Sequence, residues 1–119
     1  MSKEFMKIGP ITCSIQADPP YKKVRNGKTD FTLAKEKPVL ISNVSCKRLE
    51  NGGMVCKETS SNFTVRMNNI GAEILTMCNG RKTIEQIAFD LSEKYDFFDD
   101  EFLEQVKTFL NIFRTYKLL

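Results

Sequence analysis

The chain has 119 residues, enough for one domain with a modest core, and 18 Lys and Arg against 15 Asp and Glu leave a net charge of +3. That charge is mild, and with one third of the basic residues in the first 28 positions (Lys3, Lys7, Lys22, Lys23, Arg25 and Lys28) the pattern falls short of a nucleic-acid stripe. No stretch approaches the roughly 18 apolar residues of a membrane span and the N-terminus lacks a signal-peptide core, so a soluble cytoplasmic protein is expected.

The chain contains no histidine, and Cys13, Cys46, Cys56 and Cys78 are widely spaced, so neither a zinc site nor a disulfide framework is signalled. The cysteines read as free, small apolar residues of a reducing compartment. No metal and no cofactor is expected.

Residues 1–36 are rich in Pro, Gly, Lys and Asp and read as an extension to a domain of residues 37–119. Within the extension Ile11, Cys13, Ile15 and Ala17 alternate with Thr12, Ser14 and Gln16, the period of a strand, and Phe31-Thr32-Leu33 is a shorter candidate. The loop between them contains Asn26-Gly27. A two-stranded hairpin alone is marginal in water, so the Ile11 strand needs a sheet edge to pair with. Three placements are open. It can enlarge the sheet at the edge away from residues 63–67, lie along residues 63–67 in cis or in a swapped dimer, or be disordered or pack elsewhere, since Pro10, Pro19 and Pro20 interrupt the pattern.

From Lys37 the order is strand, turn, strand, turn, strand and three helices. Residues 44–49 and 54–58 flank Glu50-Asn51-Gly52-Gly53, a hairpin signal because Asn and Gly tolerate the positive φ of tight turns. A two-residue loop at Asn51-Gly52 makes paired residue numbers sum to 51 + 52 = 103, which puts Cys46 and Cys56 on opposite faces. Only a sum of 102 would set them side by side. Thr59-Ser60-Ser61 then turns the chain into a third strand with Phe63, Val65 and Met67 on one side and Thr64 and Arg66 on the other.

At Asn68 the period changes from two to three and four. Ile70, Ile74, Met77 and Cys78 predict a helix with Asn68 or Asn69 as its N-cap and Asn79-Gly80 as its stop. Thr83 and Gln86 form a capping box for a second helix, whose inner stripe is Ile84, Ile87, Ala88, Leu91 and Tyr95, with Phe89 off the stripe. The last helix opens on Asp99-Asp100-Glu101, carboxylates suited to the positive end of its dipole, and runs to about Lys117. Its apolar residues, Phe102, Leu103, Val106, Phe109, Leu110, Ile112, Phe113 and Tyr116, span an arc of about 180°. Either a further segment lies against this helix or a small domain surrounds it.

For catalysis there is no Gly-rich phosphate loop, no metal cluster and no nucleophile with an evident base, so an enzyme is not expected. Three strands followed by three helices is a winged-helix-like, α+β set of elements, which makes a small DNA-binding regulator the rival function. Against it, the outer faces of the second and third helices mix Glu and Asp with Lys and Arg, where DNA recognition would need basic and amide side chains.

The run Asn68-x-x-Gly71-Ala72-x-Ile74-Leu75-x-x-Cys78-Asn79-Gly80-x-x-Thr83-Ile84-x-x-Ile87, with Tyr95 and a final apolar helix, resembles the pyrroloquinoline-quinone biosynthesis protein D (PqqD) family. These are peptide recognition elements that deliver ribosomally made precursor peptides to modifying enzymes. The resemblance covers about residues 37–119, and Lys37-Pro38-Val39 and Val44-Ser45-Cys46 sit where the family begins its first strand.

The resemblance implies a non-catalytic adaptor, monomer or homodimer, that serves a modifying enzyme, with radical iron–sulfur enzymes among the partners of relatives. It implies a leader peptide added as a strand to the free edge of the third strand, its side chains entering a groove beside the last helix. Carried onto this chain, the peptide site is Phe63, Thr64, Val65, Arg66 and Met67 with Phe109, Ile112, Phe113 and Tyr116. Arg66 would face an acidic leader residue. An end just past the last helix would suit either a free-standing protein or a domain of a larger enzyme.

Overall fold

A computed structural model describes residues 2–17, 37–39, 44–58 and 63–115. Its first element was not anticipated. β1 (Ser2–Ile8) and β2 (Ile11–Ala17) form an antiparallel hairpin across a two-residue Gly9-Pro10 turn, with Ile8 opposite Ile11. The strand at β1 is hard to see because its alternation is scrambled: exposed Phe5 sits on the face that also carries Lys7, while Met6 and Ile8 are the half-buried residues.

β3 (Val44–Arg48) and β4 (Met54–Glu58) form the second hairpin, followed by β5 (Thr64–Met67). The five strands make one antiparallel sheet in the order β1-β2-β5-β4-β3. The expected three-stranded sheet is therefore two strands too small, because the extension contributes a pair of its own. The Phe31-Thr32-Leu33 and Thr59-Ser60-Ser61 segments lie outside the described residues.

The β3–β4 register corrects another expectation. Leu49 N–H donates to Gly53 O at 2.8 Å and Gly52 N–H donates to Leu49 O at 3.0 Å, which closes a three-residue loop, with Gly52 at φ +90° taking the left-handed position. Paired numbers then sum to 102, Cys46 lies opposite Cys56, and the two form a disulfide with Cα atoms 4.1 Å apart. The reading of four free cysteines holds only for Cys13 and Cys78, both buried.

Three helices cover one face of the sheet: α1 (Asn69–Thr76), α2 (Ile84–Tyr95) and α3 (Asp99–Thr115). Their termini follow local chemistry. Asn68 caps α1 by accepting from Gly71 N–H at 3.1 Å, and the helix ends at Thr76 with Met77 as its C-cap, short of the expected Asn79-Gly80 stop, where Gly80 takes φ +82°. Thr83 and Gln86 bond reciprocally at 3.1 and 2.9 Å to start α2, and Asp96 in the left-handed region ends it.

The core lies between sheet and helices. Ile11, Cys13, Ile15, Cys56, Phe63, Val65 and Met67 point into it from the strands, and Ile74, Ile84, Ile87, Leu91, Phe102, Val106, Phe109, Leu110 and Phe113 from the helices. Pro38 is buried at the end of α1, where its carbonyl accepts from Gly80 N–H at 3.1 Å and Val39 bridges to Asn79. No helix among the described residues is long and apolar enough to cross a membrane.

Candidate functional site

The seam between β5 and α3 is where the sequence places peptide binding, and it is filled by the chain itself. β2 runs antiparallel along β5, with Cys13 opposite Met67, Ser14 opposite Arg66, Ile15 opposite Val65 and Gln16 opposite Thr64. On its other side β5 pairs with β4. Thr64, Val65 and Arg66 therefore offer no free edge while the hairpin is in place, which corrects the expectation of an open strand.

Side-chain placement follows from the strand period. Phe63, Val65 and Met67 are buried under the helices, Arg66 is exposed on the far face, and Thr64 is half-buried. Phe109 and Phe113 of α3 are buried too, their rings 5.1 Å apart and edge to face, so they form core instead of lining an open groove. Ile112 is half-buried against that core, and Tyr116 lies outside the described residues.

What occupies the seam is a segment with apolar side chains at alternate positions. Ile11, Cys13 and Ile15 are all at most 2% exposed. Burial in this apolar setting pushes the Cys13 thiol up to about 11, so it behaves as a small hydrophobe and not as a nucleophile. The broad apolar arc of α3 has its explanation here. α2 takes one flank of the helix and the hairpin approaches another, the Gly9-Pro10 turn reaching Gln105 at a surface cavity of about 300 Å³.

Asn68 is the residue the sequence undervalued. Its Oδ1 caps α1, its Nδ2 donates to Pro10 O at 2.8 Å, and its backbone N–H donates to Thr12 O at 2.9 Å. One side chain thus starts a helix and clamps the hairpin. A cap is legible from Asn at a change of period, but nothing in the local pattern points to a partner nearly sixty residues earlier. Gly71 completes the junction, since a Cβ there would sit 3.0 Å from Met67 Cβ and 3.1 Å from Phe109 Cζ. Its absence lets α1 press onto both β5 and α3.

A polar cluster fixes the other side of α1. Tyr95 Oη donates to Glu73 Oε2 at 2.6 Å, Lys94 pairs with Glu73 Oε1, and Arg48 donates to Thr76 Oγ1 at 3.4 Å. Partial burial works against the Glu73 charge, but the Lys94 and Tyr95 bonds and the nearby Arg48 outweigh it and hold the carboxyl below its ordinary range. The arrangement ties α1 to α2 and β3. Among the described residues no group of three His, Cys, Asp or Glu could hold a metal ion.

The seam thus holds an extended segment of the chain itself, β2, through strand pairing and alternate apolar side chains. A family model described as coenzyme PQQ synthesis protein D (PqqD) matches residues 53–119, taking in β4, β5 and all three helices and leaving out the β1–β2 hairpin. No curated protein and no solved structure matches the chain. With more than half of its length matched, and with the strand-to-helix junction at Asn68 and Gly71 inside the match, the chain belongs to the PqqD family.

Proposed function

We propose that this protein is a non-catalytic adaptor that captures the leader of a ribosomally synthesised precursor peptide by strand addition and presents it to a modifying enzyme. The observation that carries the reading is the seating of β2: an extended segment with buried alternate side chains lies on β5 beneath the helices. In this reading β2 holds the leader's place in cis. The leader displaces the hairpin and supplies the same kinds of contact, so the exchange replaces buried aliphatic side chains and a strand ladder like for like. The match over residues 53–119 supports it, since the matched part contains β5 and α3 but not the hairpin.

A thermodynamic cycle tests this. Ile15 is fully buried when the hairpin is docked and would be exposed once a leader has replaced it. Ile15→Ala should weaken docking by about 3 kcal/mol, as for other buried Ile-to-Ala changes. Leader affinity should rise by as much as about 100-fold, because less free energy opposes displacement. The measurement is anisotropy of a fluorescein-labelled candidate leader peptide. Unchanged affinity in a folded Ile15→Ala protein would sink displacement.

A further inference from the structure

The helices cover one face of the sheet, and no other described element covers the opposite one. The register sets what that face carries. One row crosses all five strands as Phe5, Ser14, Arg66, Val55 and Lys47. The next runs through Gln16, Thr64, Lys57 and Ser45. Lys7, Lys47, Lys57 and Arg66 are exposed, and no strand places a carboxylate on this face: Glu58 of β4 is buried on the opposite one. None of the ion pairs among the described residues involves these four cations.

The grouping is tight. Arg66 and Lys57 are diagonal neighbours on adjacent strands, as are Lys57 and Lys47, which sets each pair about 7–8 Å apart at the backbone. A chain with a net charge of +3 thus concentrates unpaired positive charge on one flat surface. Bringing three cations together uncompensated disfavours the isolated protein, and a carboxylate-bearing surface laid against them would relieve it.

We propose that this outer face of the sheet, centred on Arg66, Lys57 and Lys47, is a docking surface for an acidic polypeptide. The site is separate from the β5–α3 seam, and its three central residues sit on β3, β4 and β5, which remain when the hairpin leaves. A polypeptide fits better than a nucleic acid. Sheet faces that bind single strands stack bases on several aromatic side chains, whereas among the described residues of this face Phe5 is the single aromatic ring, on the outermost strand. Ser14, Ser45 and Thr64 supply neutral hydrogen-bonding groups between the charges, as a polar protein interface uses.

The experiment uses the full chain and two probes of similar charge, a fluorescein-labelled oligoglutamate of about ten residues and a mixed-sequence single-stranded DNA of about ten nucleotides, at low and physiological salt. Oligoglutamate should bind, and the Lys47→Gln/Lys57→Gln/Arg66→Gln variant should bind it at least about tenfold more weakly with an unchanged melting temperature. A charge-matched control, Lys37→Gln/Arg81→Gln/Lys107→Gln, should stay within about twofold of wild type. Equal losses in the two variants would reduce the effect to net charge and overturn the proposal. Absence of oligoglutamate binding, or tighter binding of the DNA, would overturn it as well.

Discussion

Met67→Cys would place a second thiol on the β2–β5 seam, which must open for a leader to enter if the hairpin holds the leader's place. Cys13 and Met67 are Cα partners across β2 and β5, and both are buried. The adjacent pair is hydrogen-bonded through Asn68 N–H to Thr12 O, so alternation makes Cys13 and residue 67 a non-hydrogen-bonded pair with Cα atoms about 4.5 Å apart. Cys46 and Cys56 already bridge at such a position. The new bridge would close a loop of 67 − 13 = 54 residues, worth about 4 kcal/mol in chain entropy, against about 1–2 kcal/mol lost with the Met67 side chain. At about 4 °C per kcal/mol for a chain of this length, the oxidised variant should melt roughly 10 °C above wild type. Locked in this way, it should bind leader at least about 100-fold more weakly, and thiol reduction should restore binding, with reduced wild type as the control for Cys46–Cys56. A variant that crosslinks yet binds leader normally would refute displacement, and one that cannot crosslink under oxidant would refute the β2–β5 register.

Removing the Thr83 hydroxyl should cost about 1 kcal/mol, since Thr83→Ala deletes half of a capping box, and a thermal melt should fall by about 4 °C. Glu73→Gln tests the polar cluster. Because the folded carboxyl is held below its ordinary value of 4.5, its contribution is present above that pH and is lost as pH falls through the folded value. Urea melts should therefore separate wild type from Glu73→Gln at pH 7 by about 1 kcal/mol and converge in acid; a gap that persists at low pH would refute the electrostatic origin. Burial raises the Cys13 and Cys78 thiols to about 11 and about 12, so iodoacetamide should leave both unmodified in the native protein. After reduction exposed Cys46 should react first, and early labelling at Cys13 would mean the hairpin opens more readily than its packing implies.

What was legible in the sequence was local. The Asn68 cap, the Thr83–Gln86 box and the inward stripe of α2 depend on residues within one turn of each other, and all stand where the pattern put them. The β3–β4 register slipped by one because Asn51-Gly52 suits a two-residue loop, whereas Glu50 joins the turn and Gly52 takes its last position. That single slip decided whether Cys46 met Cys56. β1 was missed because its exposed residue is Phe5. The pairing of β2 with β5 was one of several open choices, since alternation shows that a strand has a buried face without showing which neighbour completes it. The residues assigned to a peptide site were found as a strand and a helix, but their burial depended on that distant pairing.

The position of β2 in the sheet also sets an order of assembly. β3, β4 and β5 pair across short connections, whereas Cys13 must wait for Met67, so contacts to the hairpin are the most distant in sequence. The hairpin leaves the ribosome first and finds its place last. We expect pulse-labelled hydrogen exchange during refolding to protect β4 and β5 amides before those of β2, and the reverse order would refute this. In the interval β5 is an open edge. A leader present while the protein is being made would meet a vacant seam and have no hairpin to displace, so the partner acquired at synthesis and the partner acquired later would be governed by different barriers, the first kinetic and the second set by equilibrium.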